Sequence, residues 1–482
     1  MTGRLRSLLL FGLLAGCGST SNRPDAAGGG RADGAAGDAG GPTAGASGAG
    51  GAAGMAGTAG TAGSIACTIN AQSSLSTTIP TVGIVTWTTD LPGMSSAQIQ
   101  FGLADGSGPM MVAPVDLTQP AYRTLLLGMK ASRAYSFQIV ANASSGACTS
   151  QSFTLTTGPV STDLPALTMQ VTNAAAHDRG FIVTSSASSG LLPNIAYILD
   201  ADGDPVWWAP APASPSRAHM SWNGDAMWIV ALNVENAGGE MRQISMDGSM
   251  AQNNIAGLAS AHHDFTPIPG DGIAAMLWNT SATNAPNSLV ERSSDGTMTT
   301  IVSDFSSLYN SPTFHPNAIH YYPSDDTYTI SDRDPNLFVK ITRAGALIWQ
   351  FGGTNPKDPS KFFTVAGGTW QINHGHQLLD DGHFLFFNNG PPGGPSIARE
   401  YQLDTTTWTA SSVWTYQVSG VTSTVLGDAQ RLPNGNTLVT FSTSGQIQEV
   451  DPAGNVVMTV KPSSSSFGYA DFRESLYGQP PR

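Results

Sequence analysis

Two histidines, an asparagine and an arginine lie within FHPNAIHYYPSDDTYTISDR (314–333), in a chain of 482 residues of which only 11% are charged. A neutral imidazole is a competent nucleophile near pH 7 and also exchanges protons there. A guanidinium is always charged and can bind two oxygens of an anion at once. His315, Asn317 and Arg333 are therefore candidates for a site that binds an oxyanion.

These residues stand on both sides of the turn PSDD (323–326). Positions equally far before and after a hairpin turn lie side by side, because antiparallel partners are neighbours. His315 precedes the turn by about nine residues and Arg333 follows it by about eight, so both are expected at one end of the hairpin.

Two further histidine segments, AHHDF (261–265) and NHGH (373–376), precede turns in the same way. Polar residues follow those turns at similar distances. The expected neighbours are Asn279 for His263, and Asn388 or Asn389 for His374. Three histidines from separate hairpins are thus expected at corresponding ends.

A repeated hairpin after residue 160 provides the elements that position them. Its copies are YILDADGDPVWW (197–208), RQISMDGSMAQ (242–252), LVERSSDGTMTTIV (289–302), FVKITRAGALIWQF (338–351), EYQLDTTTWTASSVW (400–414) and IQEVDPAGNVVMTV (447–460). A second turn precedes each copy, so a unit has two hairpins and four strands in about 50 residues. This period is typical of β-propeller blades.

The repeat predicts an all-β fold with a six-bladed propeller over 160–482. The alternative is a two-sheet sandwich with coincidental spacing. In a propeller the first strand of each blade lines the central channel, which brings the three histidines to one mouth. The sixth copy has Gly427 in place of a histidine, so the blade itself does not require one.

The start of the chain predicts export. Arg4 and Arg6 precede a short apolar run that ends in LAGC, which resembles a bacterial lipobox. We expect a lipoprotein signal peptide over 1–16 and lipidation of Cys17. The chain would then be held at a membrane, expected to be the outer membrane, on its periplasmic side or at the cell surface. The alternative is an ordinary signal peptide with an incidental cysteine.

Two segments separate this signal from the repeats. Residues 17–65 are rich in Gly and Ala and predict a flexible tether. Residues 66–158 alternate apolar and polar residues and resemble a fibronectin type III β-sandwich. Cys67 and Cys148 are the remaining cysteines of an exported chain, which predicts one disulfide. The net charge of −13, without a basic stripe, argues against nucleic acid as a partner.

The segments HHDFTPIPGDG, FHPNAIHYYPSDDTYTISDRDPNLFVKITRAGALIWQFGG and NHGHQLLDDGHFLFFNNG resemble the bacterial arylsulfate sulfotransferases. The resemblance covers roughly 160–482. It implies a six-bladed propeller that moves a sulfuryl group between phenols without a phosphoadenosine cofactor or a metal. It implies that His374 is the nucleophile, and that the sulfuryl oxygens are held by His263, His315, Asn317 and Arg333. Its expected partners are aryl sulfates and phenols.

One departure from this family opens an alternative. The family usually has His-Asp at the nucleophile, whereas this chain has His374-Gly375-His376, so His376 is a rival nucleophile. The other histidines, His177, His219, His320 and His383, are interpreted as structural or uninvolved.

Two other functions fit the same residues. Three histidines facing one channel could bind zinc as a hydrolytic centre, although a neighbouring arginine argues against a metal. A propeller that binds ligands at the cell surface without turnover is the second alternative. The sequence leaves the oligomeric state and the natural substrates open.

Overall fold

The computed structural model describes residues 65–188, 193–232, 240–278, 287–366, 370–463 and 465–480. The predicted signal peptide with Cys17, nearly all of the tether, and Asn279 lie outside these residues. In the described part of the chain, no helix is long and apolar enough to cross a bilayer.

The first folded module is a β-sandwich. Its eight strands are β1 (Ile69–Leu75), β2 (Gly83–Thr89), β3 (Met94–Leu103), β4 (Met111–Pro114), β5 (Thr124–Leu126), β6 (Ala134–Ala143), β7 (Gly146–Thr149) and β8 (Phe153–Thr156). One sheet has the order β1-β2-β5, and the other has β4-β3-β6-β7 with β8 also on β6. Alternating side chains such as Trp87, Phe101 and Phe137 are buried between the sheets. Cys67 is disulfide-bonded to Cys148, with the Cα atoms 6.0 Å apart.

From residue 167 onward, the strands of the described ranges form six sheets, which confirms the all-β class. In chain order, the first twelve of these strands are β9 (Leu167–Val171), β10 (Phe181–Ser188), β11 (Ile195–Leu199), β12 (Pro205–Pro210), β13 (Pro215–Met220), β14 (Ala226–Ala231), β15 (Met241–Ser245), β16 (Ala251–Gln252), β17 (Ala261–Ile268), β18 (Gly272–Leu277), β19 (Ser288–Arg292) and β20 (Met298–Val302). Strands β10–β12 belong to the first sheet. Strands β13–β16 form the second sheet and β17–β20 the third.

The strands that follow in chain order are β21 (Pro316–Tyr322), β22 (Thr327–Asp332), β23 (Leu337–Thr342), β24 (Leu347–Gly352), β25 (Phe362–Ala366), β26 (Asn373–Leu378), β27 (His383–Asn388), β28 (Ile397–Asp404), β29 (Thr409–Gln417), β30 (Asp428–Arg431), β31 (Thr437–Phe441), β32 (Gln446–Val450), β33 (Val456–Pro462), β34 (Ser465–Phe467) and β35 (Asp471–Arg473). Strands β21–β24 form the fourth sheet, β26–β29 the fifth and β30–β33 the sixth. Strand β25 joins β24 of the fourth sheet to β29 of the fifth. Short 3₁₀ turns lie at Pro120–Tyr122, Phe305–Ser307, Pro359–Lys361 and Ser442–Ser444.

The repeated hairpins are the third and fourth strands of each sheet, counted from its inner strand. Four of the turn glycines, Gly203, Gly248, Gly296 and Gly345, have φ between 67° and 89°, which is the left-handed region that glycine adopts without strain. In the copy without a turn glycine, Trp408 takes this conformation with φ 54°.

The first sheet departs from the expected repeat. The strand before its expected first turn, β9, pairs with β33 at the outer edge of the sixth sheet. The inner position of the first sheet is filled by β34 and β35 from the other end of the chain, and both pair with β10. The ring is therefore closed by strands from both ends of the described propeller.

Neighbouring sheets are joined at the channel by side chains that bind the backbone of the next inner strand. Asp264 accepts the Ile319 amide, with 3.1 Å between Oδ2 and N. Further along the ring, Gln377 accepts the amide of Arg431, and Gln430 accepts the amide of Phe472, each at 2.7 Å. These bonds satisfy strand edges that would otherwise be left unpaired.

The sandwich packs directly on the first two sheets of the propeller. Ile79, Val82 and Leu127 belong to the same apolar core as Trp207 and Met227. Lys130 Nζ lies 3.1, 2.8 and 2.6 Å from carboxylate oxygens of three turn residues, Asp200, Asp202 and Asp204. A shared core and this ion cluster fix the sandwich against the propeller.

Candidate active site

Four histidine rings from three neighbouring sheets meet at one mouth of the channel. We call His262, His263, His315 and His374 the histidine cluster. The ring centroids of His263 and His315 are 4.7 Å apart, and those of His263 and His374 are 6.3 Å apart. All four side chains are buried. The structure thus brings together the three histidines expected at one mouth, and adds His262.

Irregular strand pairing aims these rings. In β17, Ala261 pairs with Leu277 and Phe265 pairs with Ala275, so residues 262–264 stand opposite one residue. In β26, Asn373 pairs with Asn388 and His376 with Phe386, which leaves residues 374–375 opposite one residue. Such bulges bend a strand and redirect side chains. They occur at the end of each strand that faces the cluster.

The orientation of the His374 ring is fixed by Asn389. The Asn389 Nδ2 atom donates to the carbonyl oxygens of Ser423 and Leu426, both at 2.7 Å. Its Oδ1 atom is then the acceptor that faces His374 Nδ1 at 2.5 Å. A neutral imidazole has one N–H, so Nδ1 carries the proton and Nε2 has a free lone pair. Among the described residues, Nε2 has no hydrogen-bond partner.

Burial keeps the histidine cluster neutral. It lowers the pKa of His374 to about 3 and that of His262 to about 3. It lowers the pKa of His315 to about 2, with the positive charge of Arg333 as the next cause. The pKa of His263 is lowered well below its usual range by burial and by His315. A neutral His374 has the lone pair that a nucleophile needs.

Arg333 lies at the rim beside the cluster. Its backbone N–H donates to the carbonyl of His315 at 3.3 Å, and its side chain is 31% exposed. Its positive charge contributes to the lowered pKa of His374 as well as of His315. A cavity of about 430 Å³ opens beside it, lined by Thr313, Arg333, Asp334, Asn336, Gln371 and Ile372. Arg333 can therefore contact a ligand that enters from solvent.

Asn317 lies next to the cluster and has a spare acceptor. It is the unpaired residue of a bulge in β21, and its Nδ2 atom donates to the carbonyl of Asn373 at 2.6 Å. Its Oδ1 atom is buried without a partner among the described residues. Its amide N–H₂ group thus ties β21 to β26 just before His374.

The rival residue His376 lies in a different environment. Its ring stacks on Phe384 with an interplanar angle of 16°, and it also contacts Phe338. Its Nε2 atom lies 2.7 Å from Thr329 Oγ1. His376 therefore packs between the fourth and fifth sheets, away from the histidine cluster, although only one residue separates it from His374.

The remaining histidines have partners outside the cluster. His177 binds Glu449 with 2.5 Å between Nδ1 and Oε2, and His383 binds Glu400 at 2.6 Å. His219 lies 3.3 Å from a carboxylate oxygen of Asp471, and the His320 ring packs against that of His376. These positions agree with a structural interpretation.

A buried ion network beneath the cluster was not predicted from the sequence. Arg217 on β13 pairs with Asp264 at 2.7 and 3.2 Å and with Asp428 at 2.7 Å. Its guanidinium also lies 4.1 Å from the centre of the Tyr469 ring. The network joins the inner strands of three sheets and contacts the segment between β34 and β35 of the first. A repeat-based search overlooks it because its cation, Arg217, occurs in one repeat only.

The network also explains Gly375. A Cβ atom at this position would lie 2.0 Å from Asp428 Oδ1 and 2.5 Å from its Cγ. The Gly375 N–H donates to the carbonyl of Gly427 at 3.0 Å. Only glycine lets β26 approach β30 this closely, and Asp428 thereby places a carboxylate beside the residue that follows His374.

A metal at this site was the less favoured alternative. Within the described residues, no three His, Cys, Asp or Glu side chains are arranged to hold a metal ion. The imidazoles instead bind one another, with 3.2 Å between the Nε2 atoms of His263 and His315.

Comparison with known proteins adds one specific match. The family model described as Arylsulfotransferase (ASST) matches residues 276–463. That span holds His315, Asn317, Arg333 and His374, whereas His262 and His263 lie before it. The match supports a sulfotransferase activity in general terms. No curated protein matches the chain.

Several solved structures show weak similarity. A protein of Bacteroides uniformis assigned as a 6-phosphogluconolactonase has 12% identity and a TM-score of 0.41, covering 61% of this chain and 100% of its own. A member of the DUF4221 family from Bacteroides vulgatus has 6% identity and a TM-score of 0.33, covering 64% and 98%. The β-propeller domain of the Trilobed protease from Pyrococcus furiosus has 7% identity and a TM-score of 0.28, covering 78% and 97%. The fold described above rests on the strand pairing of this chain itself.

Proposed function

We propose that this chain is an aryl sulfotransferase that works through a sulfohistidine on His374 and needs no phosphoadenosine cofactor. One observation carries the proposal. His374 is held neutral with its proton on Nδ1, so its Nε2 lone pair is free beside a guanidinium and two further imidazoles. This combination suits a nucleophile that attacks an anionic sulfate ester.

In the first step the Nε2 lone pair forms a bond to sulfur. The bond between sulfur and the aryl oxygen breaks, and the phenolate leaves with that electron pair. Charge on the sulfuryl oxygens is stabilised by Arg333 and by N–H groups of His263 and His315, as oxyanion sites do elsewhere. The departing phenolate takes its proton from solvent, because a neutral imidazole such as His315 is a weaker acid than a phenol.

In the second step an acceptor phenol attacks the sulfur of the sulfohistidine. Its oxygen forms the new S–O bond, the N–S bond breaks, and the electron pair returns to Nε2. The phenol proton passes to solvent. Asn389 contributes to both steps. Its oxygen accepts a hydrogen bond from His374 Nδ1–H, and this bond is stronger while the ring bears the sulfuryl group, because the N–H is then more acidic.

The test is transfer from a chromogenic aryl sulfate to a phenol by the purified protein. His374→Asn keeps a side-chain amide near the position of Nδ1 and removes Nε2, so it is expected to abolish transfer. The matched variant His376→Gln keeps an amide near Thr329 and is expected to retain activity. Transfer by the His374 variant would reject this nucleophile.

The same assay separates the alternatives. Transfer that persists in excess EDTA agrees with sulfohistidine chemistry, and loss that zinc restores would favour a metal hydrolase. Release of phenolate that is unaffected by acceptor phenol would indicate hydrolysis rather than transfer. Binding of aryl sulfate without any turnover would indicate a ligand-binding propeller.

We further propose that the chain is an exported lipoprotein of the outer membrane, attached through Cys17 and a flexible tether. The supporting observation is the LAGC sequence at the end of a short apolar run. Labelled fatty acid should be incorporated into the full chain and not into a Cys17→Ser variant. Labelling of that variant would contradict the anchor.

A further inference from the structure

His262 is a buried histidine of the cluster to which the mechanism above gives no role. Consecutive residues of a regular strand point to opposite faces. Here the bulge in β17 and the left-handed backbone of His263, with φ 57°, bring both rings to the same side. The Nδ1 atoms of His262 and His263 are 2.9 Å apart. The fold therefore accepts a strained backbone where these two rings meet.

The imidazoles of His262, His263 and His315 form a chain of two hydrogen bonds. His262 bonds to His263 through their Nδ1 atoms, and His263 bonds to His315 through their Nε2 atoms at 3.2 Å. Each neutral ring has one proton, and each bond needs one. The proton positions along the chain are therefore linked, and the direction of the first bond sets which nitrogen of His263 is the donor.

The unpartnered end of the chain favours one direction. His262 Nε2 is buried without a partner among the described residues. If His262 accepted at Nδ1, its proton would sit on Nε2 as a buried donor with nothing to bind. Buried N–H groups without partners are rarer than acceptors without partners. The favoured direction has His262 donating from Nδ1, which leaves the proton of His263 on Nε2.

We propose that His262 is a positioning residue that holds His263 as the Nε2–H tautomer, so that His263 can donate this proton to a sulfuryl oxygen of a bound ester in place of His315 Nε2. This inference rests on the proposed function. The site then contains two histidines in opposite tautomers, and a single neighbouring side chain fixes each of them. Asn389 leaves His374 with a bare Nε2 for attack, whereas His262 leaves His263 with a protonated Nε2 for oxygen binding.

Trp278 supports this arrangement from the side. Its ring lies 5.0 Å from the His262 ring and 5.0 Å from the His315 ring, meeting both edge to face. The two ends of the imidazole chain are thus held by one indole. This packing limits rotation of the rings, which a fixed pattern of protons requires.

The direct test reads the tautomers by nitrogen NMR of protein labelled on histidine. The inference predicts that His263 has an unprotonated Nδ1 and a protonated Nε2, and that His374 has the opposite pattern. A protonated Nδ1 on His263 would overturn it. The NMR measurement does not require catalysis. It therefore tests the tautomer of His263 even if the chain does not transfer sulfuryl groups and the proposed function is wrong.

A kinetic test uses His262→Leu, which removes the donor. The variant is expected to form the covalent intermediate at least about tenfold more slowly, because most molecules then lose the oxyanion donor of His263. His262→Asn, which offers a side-chain N–H near the position of Nδ1, should recover much of that rate. The control His320→Leu removes a histidine outside the chain and should stay within about threefold of the parent rate. A folded His262→Leu protein within the same limit would refute the role.

Discussion

Replacing Asn389 with leucine tests how the nucleophile is prepared. In the parent protein the Asn389 oxygen accepts from His374 Nδ1 at 2.5 Å. The imidazole gains positive character as Nε2 attacks sulfur, so this bond becomes charge-assisted. Bonds to charged groups contribute about 1.5–3 kcal/mol. At about 1.36 kcal/mol per factor of ten, loss of this bond should slow the first step by about 10- to 150-fold.

Asn389→Leu also affects stability, and the assay must separate the two effects. The Asn389 amide donates to the buried carbonyls of Ser423 and Leu426. The Ser423 carbonyl also accepts from Ser396 Oγ at 3.1 Å, so the substitution leaves the Leu426 carbonyl unpaired, at a cost of about 1–3 kcal/mol. The neighbouring Asn388→Leu is the matched control, because the Asn388 oxygen accepts from the backbone amides of Gln371 and Gly390 and not from His374.

The first step is measured as the burst of chromogenic phenolate in a single turnover. Both variants are expected to melt at lower temperature than the parent protein. Only Asn389→Leu should have a slow burst at a temperature where both are folded. Equal burst rates for the two leucine variants would refute the claim that Asn389 prepares the nucleophile.

Three further predictions concern pH and the ion network. The rate of the burst should not fall with a pKa near 6.5, because burial lowers the pKa of His374 to about 3, and a titration near 6.5 would contradict this. The free energy of unfolding should fall as pH drops from 6.5 toward 3, because His262 and His376 bind protons only after the protein unfolds. The expected loss at pH 5 is about 2 kcal/mol for each such histidine. Urea titrations that show constant stability across this range would contradict the prediction. Arg217→Met should destabilise the fold by about 3–5 kcal/mol by leaving two buried carboxylates unpaired, whereas an unchanged urea midpoint would show that the network is not stabilising.

Much of the propeller follows from the sequence because its signals are local. Turn residues mark each hairpin, and Gly203 and Gly345 adopt the left-handed conformation that their turns require. The closure of the ring could not be foreseen from these signals. Strands β34 and β35 pair with β10 across almost the whole propeller, and no turn or periodicity links segments so far apart.

The candidate site was likewise predicted only in part. Counting from the turns brought His263, His315 and His374 together, because antiparallel register fixes which positions share an end of a hairpin. The bulges were not foreseen, and they decide which rings face the mouth. They separate His374 from His376 and place His262 beside His263. A regular strand would have put the last two on opposite faces.

The central claim is a covalent bond between sulfur and His374, and mass spectrometry tests it most directly. The protein is mixed briefly with an aryl sulfate in the absence of acceptor, quenched and digested. The account predicts the added mass of one sulfuryl group on the peptide that contains His374, and loss of that mass when phenol is supplied before quenching. A sulfuryl group on the His376 side chain, or none on any histidine while phenolate is being released, would contradict it.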